Sequence, residues 1–328
     1  EGMNGALIGR IRGIEIRISW SVAIVGWLIA WSLATQVLPE MTEGRSDTEY
    51  WTAGVVATVG FFIALVAHEL GHSLVAQSRG VGVKSITLWV LGGVARLEKQ
   101  PDDPRSAMQI AAAGPAVSLV FGAAGLVAGI FTSGLVGSTL IWFGSINLIL
   151  AVFNLMPAFP LDGGRVYQAW LWKGGLSQEA ATAKAARLGS GIGHVMVWVG
   201  VVEILLGGLL GGLWLMAIGW FIREASMAEA QGVHTESMLS RFTASDVMTA
   251  DPESVPASRS LERFVDDVLA SGRHAAYPVR DDGERVIGVA EVKAVREAPR
   301  AGWPSTPVTA VMKPIAELPV VTPDETVS

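Results

Sequence analysis

The stretch His68-Glu69-Leu70-Gly71-His72 places two imidazoles four residues apart, with a carboxylate beside the first. On a helix, positions i and i+4 share a face, so both rings can bind one metal ion while Glu69 stands next to it as a proton acceptor. That spacing predicts a zinc hydrolase. The setting sharpens the expectation, because the motif lies inside an apolar run from Trp51 to Val75. A helix needs roughly 20 mostly apolar residues to cross the hydrocarbon of a bilayer, and ionisable groups at that depth cost at least about 2.5 kcal/mol each unless they find partners. Metal ligation would satisfy both imidazoles, whereas a surface helix carrying the same letters would ask nothing of them.

Zinc that works as a catalyst needs a third protein ligand and an open position for water. Outside the histidine helix, the carboxylates in or beside apolar segments are Asp162 and Glu203. Asp162 lies in a stretch from Asn154 to Arg165 in which Pro157 and Pro160 break a helix and Gly163-Gly164 permit a sharp turn. Broken helices at membrane depth are tolerated where they line a polar cavity, which favours Asp162 as the ligand. Its alternative is to cap the helix that follows. Glu203 is the weaker candidate, able instead to pair with His194 or to bond across a helical hairpin.

These residues have to be positioned by membrane helices. Mean hydropathy is +0.44, with 51% apolar and 16% charged residues, the latter well under the roughly 25% of soluble domains. Six apolar segments are expected, at about 18–38, 51–77, 107–132, 135–156, 188–206 and 209–222, the last two joined as a tight hairpin at Gly207-Gly208 or Gly211-Gly212. Of the fourteen Lys and Arg up to Arg223, all but Arg45 fall on one set of loops. The positive-inside rule then predicts a multi-pass protein of the cell membrane with both termini cytoplasmic. Between the second and third segments, Val83 to Leu97 is β-branched around Gly92-Gly93 and reads as a membrane-associated β hairpin. Its strand Ile86–Val90 or Val94–Leu97 is expected to offer an open edge to an unwound substrate. Ala113 to Ser118 is read as small-residue helix packing, and Trp170 and Trp172 as interface anchors.

Basic and acidic residues number 14 and 13 up to Arg223 but 10 and 17 after it, so an acidic soluble segment follows the membrane part. Cysteine is absent, which excludes disulfides, thiolate zinc sites and cysteine nucleophiles. No cleavable signal pattern is visible, and Glu1-Gly2 reads as a remnant before a native start at Met3.

The HELGH motif on one apolar segment and Asn154–Arg165 (NLMPAFPLDGGR) on a later one together resemble site-2-protease-type intramembrane zinc metalloproteases, over roughly Gly9 to Ala230. The resemblance implies His68, His72 and Asp162 as ligands of one Zn2+, Glu69 as general base, and Asn154 as the group that stabilises the oxyanion. It also implies a six-helix membrane domain and a membrane-tethered regulatory protein as substrate, cleaved in regulated intramembrane proteolysis. After Ala230, the stretches Thr243–Pro252, Leu261–Leu269, Ala276–Val279 and Val286–Val289 alternate helical and strand patterns and resemble a cystathionine-β-synthase-type (CBS) domain. A similar opening at Pro307–Pro314 recurs about sixty residues later.

The expected architecture is therefore an all-α polytopic membrane domain with a small β hairpin, residues 3–230, and a C-terminal α/β CBS-type domain, residues 231–328. Its first copy covers about 243–297 and its second begins at about 307 and is truncated. Resemblance to CBS domains implies an adenine nucleotide at a complete pair, or homodimerisation through it. The lipid bilayer is an expected partner and nucleic acid is not. Two other classes fit less well: a CBS-regulated transporter has no use for Glu69 as a base, and a catalytically inactive binding relative would not need every catalytic residue type that this chain keeps.

Overall fold

A computed structural model describes residues 5–90, 92–239, 242–269 and 274–326. Met3, Leu91 of the expected loop and residues 270–273 of the expected first CBS copy lie outside these. The chain forms two units, Glu1–His234 and Thr235–Ser328.

The first unit opens with strands β1 (Ala6–Ile11) and β2 (Ile14–Ile18). The span Ser21–Met41 follows, made of α1 (Ser21–Ser32), a π-helical turn at Leu33–Val37 and α2 (Leu38–Met41). Helix α3 (Asp47–Ser78) carries the histidine motif. Its start is fixed by a capping box in which Ser46 and Glu49 satisfy each other's backbone amides. Strands β3 (Val83–Trp89) and β4 (Gly92–Leu97) lead to α4 (Pro104–Ile130), which starts after the Asp103 cap with proline in its first turn, and to α5 (Gly134–Asn154). Helix α6 (Asp162–Lys173) is short, and α7 (Gln178–Leu205) and α8 (Leu209–Leu239) close the series.

Among the described residues, five helices are long and apolar enough to cross a membrane: Ser21–Met41, Asp47–Ser78, Pro104–Ile130, Gly134–Asn154 and Gln178–Leu205. The expected sixth segment is the first part of α8, whose apolar run stops at Ile222 before Arg223 and Glu224, after about 21 Å of helical rise. Close approach between helices comes from glycine. A methyl on Gly125 would stand 2.8 Å from the Gly144 backbone, and Gly193 and Gly200 of α7 face Gly219 and Gly212 of α8 in the same way. The hairpin turn falls at Gly207, where φ is +97°, a conformation that costs glycine nothing. Gly211 and Gly212 instead serve the helix contact.

The sheet is larger than the hairpin expected from Val83–Leu97. Four strands pair in the order β1-β2-β3-β4, with β2 and β3 parallel. The N-terminal strands give a weak sequence signal because β1 is interrupted by Gly9 and β2 runs almost directly into the apolar span from Ser21. Alternation in β2 is nonetheless clear, with Ile14 and Ile16 buried and Ile14 in one core cluster with Leu65, Ala76, Val83, Ile86 and Leu88. This arrangement corrects one expectation: β3 is paired on both sides, so Ile86–Val90 cannot offer a free edge over Ile86–Leu88. On that side of the sheet only β4 keeps an outer edge.

The second unit contains α9 (Ala244–Val247), β5 (Val255–Pro256), α10 (Leu261–Phe264), β6 (Ala276–Arg280), β7 (Val286–Glu291), α11 (Val292–Glu297) and β8 (Met312–Pro314). Its sheet runs β5-β6-β7-β8, with β5 parallel to β6. Val255, Leu261, Phe264, Tyr277, Val279 and Val295 form its core.

Candidate metal centre

Helix α3 runs 32 residues, about 48 Å at 1.5 Å per residue, which exceeds a hydrocarbon core of about 30 Å. The motif His68–His72 lies in the C-terminal third of this helix. His68 and Glu69 are buried, and His72 is nearly so.

Asp162 arrives from the broken segment after α5. A cis peptide joins Phe159 and Pro160, and α6 then begins with Leu161 at the cap position and no side-chain cap bond. Asp162 does not cap its helix. Its Oδ2 lies 3.2 Å from His68 Nε2 and 3.3 Å from His72 Nε2, and the two Nε2 atoms are 3.2 Å apart. The turn is held from outside by Ser226 of α8, whose buried hydroxyl donates to the Phe159 carbonyl at 3.0 Å. Gly163 and Gly164 allow the turn to fold onto the backbone of residues 155–159, where a methyl at either position would collide.

This triangle fits zinc. Tetrahedral bonds of about 2.0–2.1 Å separate neighbouring donors by roughly 3.3 Å, the spacing found on all three edges. Proton bookkeeping agrees. His72 Nδ1 is 2.7 Å from the Ile110 carbonyl, which can only accept, so in the neutral ring the hydrogen sits on Nδ1 and Nε2 presents a lone pair. His68 Nδ1 is 2.8 Å from the Ser118 hydroxyl, buried with it. Two imidazole nitrogens and a carboxylate oxygen, all electron-rich, converge on one point where a cation would reconcile them. Outer partners that fix ring orientation are the usual companions of metal-binding histidines.

Two glycines fit around the site. A methyl at Gly114 of α4 would meet the Nε2 atoms of both histidines, and one at Gly93 of β4 would stand 2.6 Å from Glu69 Oε1. Strand β4 thus lies over the Glu69 carboxyl. The Ala113–Ser118 stretch, read from sequence as packing next to the active-site helices, supplies both the clearance and the Ser118 partner. Polar Ser118 one turn after Gly114 was the available signal.

The structure does not draw in the remaining candidates. Asn154 ends α5 half-buried, with no hydrogen bond to its side chain among the described residues. His194 donates through Nδ1 to the Ser190 carbonyl on its own helix, and Glu203 packs beside Gly208 and Gly211 at the hairpin turn. Neither joins the triangle, nor do they pair with each other. Trp170 is exposed and stacks on Tyr167.

The chain matches the model of peptidase family M50 over residues 56–137 and 131–200. A relative named as a zinc metalloprotease, Rip3 of Mycobacterium tuberculosis, is 38% identical over 323 residues, 97% of this chain and 82% of the relative. The chain belongs to peptidase family M50. A zinc metalloprotease by name from Synechocystis is 32% identical over 94% of this chain and 82% of its own length. Another from Methanocaldococcus jannaschii is 33% identical over 75% and 70%. Among solved structures, the site-2 protease of Methanocaldococcus jannaschii is similar at 28% identity, covering 69% of this chain and 95% of that one with a TM-score of 0.47. This M50 member is a zinc metalloprotease of the membrane, and its His-His-Asp group has the donor set that zinc takes.

Proposed function

We propose that this M50 chain is an intramembrane endopeptidase that cuts a membrane-tethered regulatory protein, with His68, His72 and Asp162 holding zinc and Glu69 as general base. The observation that carries this reading is the three-donor triangle with edges of 3.2–3.3 Å, closed over by β4 beside Glu69. Zinc held there supplies Lewis acidity, which acidifies water toward a pKa of about 7 and polarises a peptide carbonyl. Glu69 takes a proton from the attacking water and delivers it to the leaving amine nitrogen. Asp162 and the two imidazoles stay fixed because Ser226, Ser118 and the Ile110 carbonyl hold them from behind. Asn154 is assigned to the developing oxyanion, its amide donating to the carbonyl oxygen.

A helical substrate hides its amide bonds in internal hydrogen bonds, so it must unwind before hydrolysis. The outer edge of β4 supports this step: an extended segment added there gains backbone partners while lying next to Glu69. Six crossings with both termini cytoplasmic is the topology we assign, α8 supplying the last, which accords with the near-exclusive placement of Lys and Arg on one set of loops.

The second unit is read as a CBS-type regulatory domain that pairs with another copy and takes an adenine nucleotide. Its order β5-α10-β6-β7-α11 supports this reading, as does the start of β8 in the repeated opening at Pro307.

The decisive experiment reconstitutes the full chain with a single-pass peptide and follows cleavage with and without a zinc chelator. Glu69→Gln should keep its zinc and lose at least about a hundredfold in rate, the low end for a general base; Asp162→Ala should lose zinc. Cleavage by Glu69→Gln at the native rate would overturn the assignment.

A further inference from the structure

Strand β1 is exposed on both faces: of its six residues only Gly9 is partly covered. Leu7 and Ile8 are 50% and 60% exposed, and Trp20, at the head of α1, is 76% exposed. We propose that Leu7, Ile8 and Trp20 seat the β1–β2 hairpin in the interfacial layer of the membrane, with Arg17, the cross-strand neighbour of Leu7, meeting the phosphates of anionic phospholipids.

Height within the bilayer carries the argument. Tyr50 Oη donates to the Thr42 carbonyl at 2.6 Å, tying the end of the first span to the start of α3 at one membrane face. From there the span Ser21–Met41 runs 21 residues, about 31 Å of rise, against about 30 Å of hydrocarbon. Trp20 therefore falls at the opposite boundary, the level that tryptophan favours. Strand β2 leaves this level and climbs away, its turn reaching the end of α3 where the Gln77 amide donates to the Arg12 carbonyl at 3.3 Å. Strand β1 is antiparallel, so it comes back down: Ala6 pairs with Ile18 and Leu7 with Arg17. The register slips between Leu7 and Gly9, leaving Ile8 as an extra residue at the foot of the strand. Three large apolar side chains that the protein does not cover thus gather at one depth.

Charge completes the pattern. Arg10 and Arg17 share a single acid, Glu15, at 2.6 and 2.7 Å, and Arg12 at the turn is exposed without an ion-pair partner among the described residues. Arg17, paired with Leu7, so brings positive charge to the level of the apolar foot, while Arg10 and Arg12 lie farther up the hairpin. Basic residues near an anionic leaflet each contribute about 1 kcal/mol, and aromatic or aliphatic groups below them anchor at the boundary.

The chain has no cysteine, which makes the test direct. A fluorophore is placed on Ile8→Cys, and separately on Asp282→Cys in the second unit, in the full protein in nanodiscs of phosphatidylcholine with phosphatidylglycerol. Nitroxide carried near the top of the acyl chain should quench the Ile8 label severalfold more than the Asp282 label, and aqueous iodide should do the reverse. Exchanging phosphatidylglycerol for phosphatidylcholine should reduce the lipid quenching, as should Arg17→Gln. Iodide quenching at Ile8 equal to that at Asp282 would overturn the proposal. So would quenching by neither agent, since protein would then cover the strand, and indifference to lipid charge would remove the phosphate contact.

Discussion

Substituting Gly114 by alanine should sharply weaken zinc binding while leaving the fold in place. A Cβ there would stand 2.6 Å from His68 Nε2 and closer still to His72 Nε2. Carbon and nitrogen reach ordinary contact at roughly 3.5 Å, so the rings must retreat by about 1 Å. They are poorly able to do so, because Ser118 and the Ile110 carbonyl hold their Nδ1 atoms at 2.8 and 2.7 Å. Metal sites tolerate displacements of about 0.2 Å, and the atoms displaced here are the ligand atoms themselves. Loss of an outer partner alone costs a metal site up to about a hundredfold in affinity, so displacing the ligand atoms themselves should cost at least that, about 2.7 kcal/mol of zinc binding. Overpacking should take about 1–3 kcal/mol from stability as well. Zinc content by elemental analysis and zinc affinity by chelator competition would measure the first effect, and thermal unfolding the second. Gly60→Ala is the control on the histidine helix, where a methyl would sit 3.6 Å from the Phe143 ring. Native zinc affinity in Gly114→Ala would refute the reasoning, since the two imidazoles would then have room that the structure denies them.

Ser118→Ala removes the partner that His68 Nδ1 has among the described residues and should weaken zinc binding about 10–100-fold, with Ser118→Thr recovering part of it in the same competition assay. Ser226→Ala leaves the buried Phe159 carbonyl unpaired, costing about 1–3 kcal/mol; denaturation should report that loss, and elemental analysis a lower zinc occupancy as the Asp162 turn loosens. Proline at Val94 or Ala95 should slow cleavage without lowering zinc content, by breaking the backbone pattern of β4; unchanged turnover in both would remove β4 as the docking strand. Proline at Thr87, in the doubly paired β3, should instead impair folding, seen as loss of protein from the membrane fraction.

Much of the metal centre was legible because it depends on local geometry. Four residues make about one helical turn, so His68 and His72 must share a face whatever the helix packs against. Asp162 was reachable as a candidate by elimination, since outside the histidine helix only it and Glu203 lie in or beside apolar segments of the membrane part. The segments at 51–77, 107–132 and 135–156 correspond closely to α3, α4 and α5 because lipid demands long uninterrupted helices. Span boundaries elsewhere were less clear. Residues 178–187 are polar enough to look like a loop, yet they extend α7, with Ala181 and Ala185 packed inward.

What the sequence determined by itself is a chemistry, two imidazoles and a carboxylate on one helix inside a membrane, since composition and i,i+4 spacing act within a single element. Tertiary packing alone decided that Asp162, ninety-four residues beyond His68, turns toward the rings instead of capping its helix. It also decided that Gly114 and Gly93 leave room for them and that β4 rather than β3 keeps a free edge. Each of those outcomes depends on how closely separate helices and strands approach, and closeness is a property of the assembled fold that no run of neighbouring residues contains.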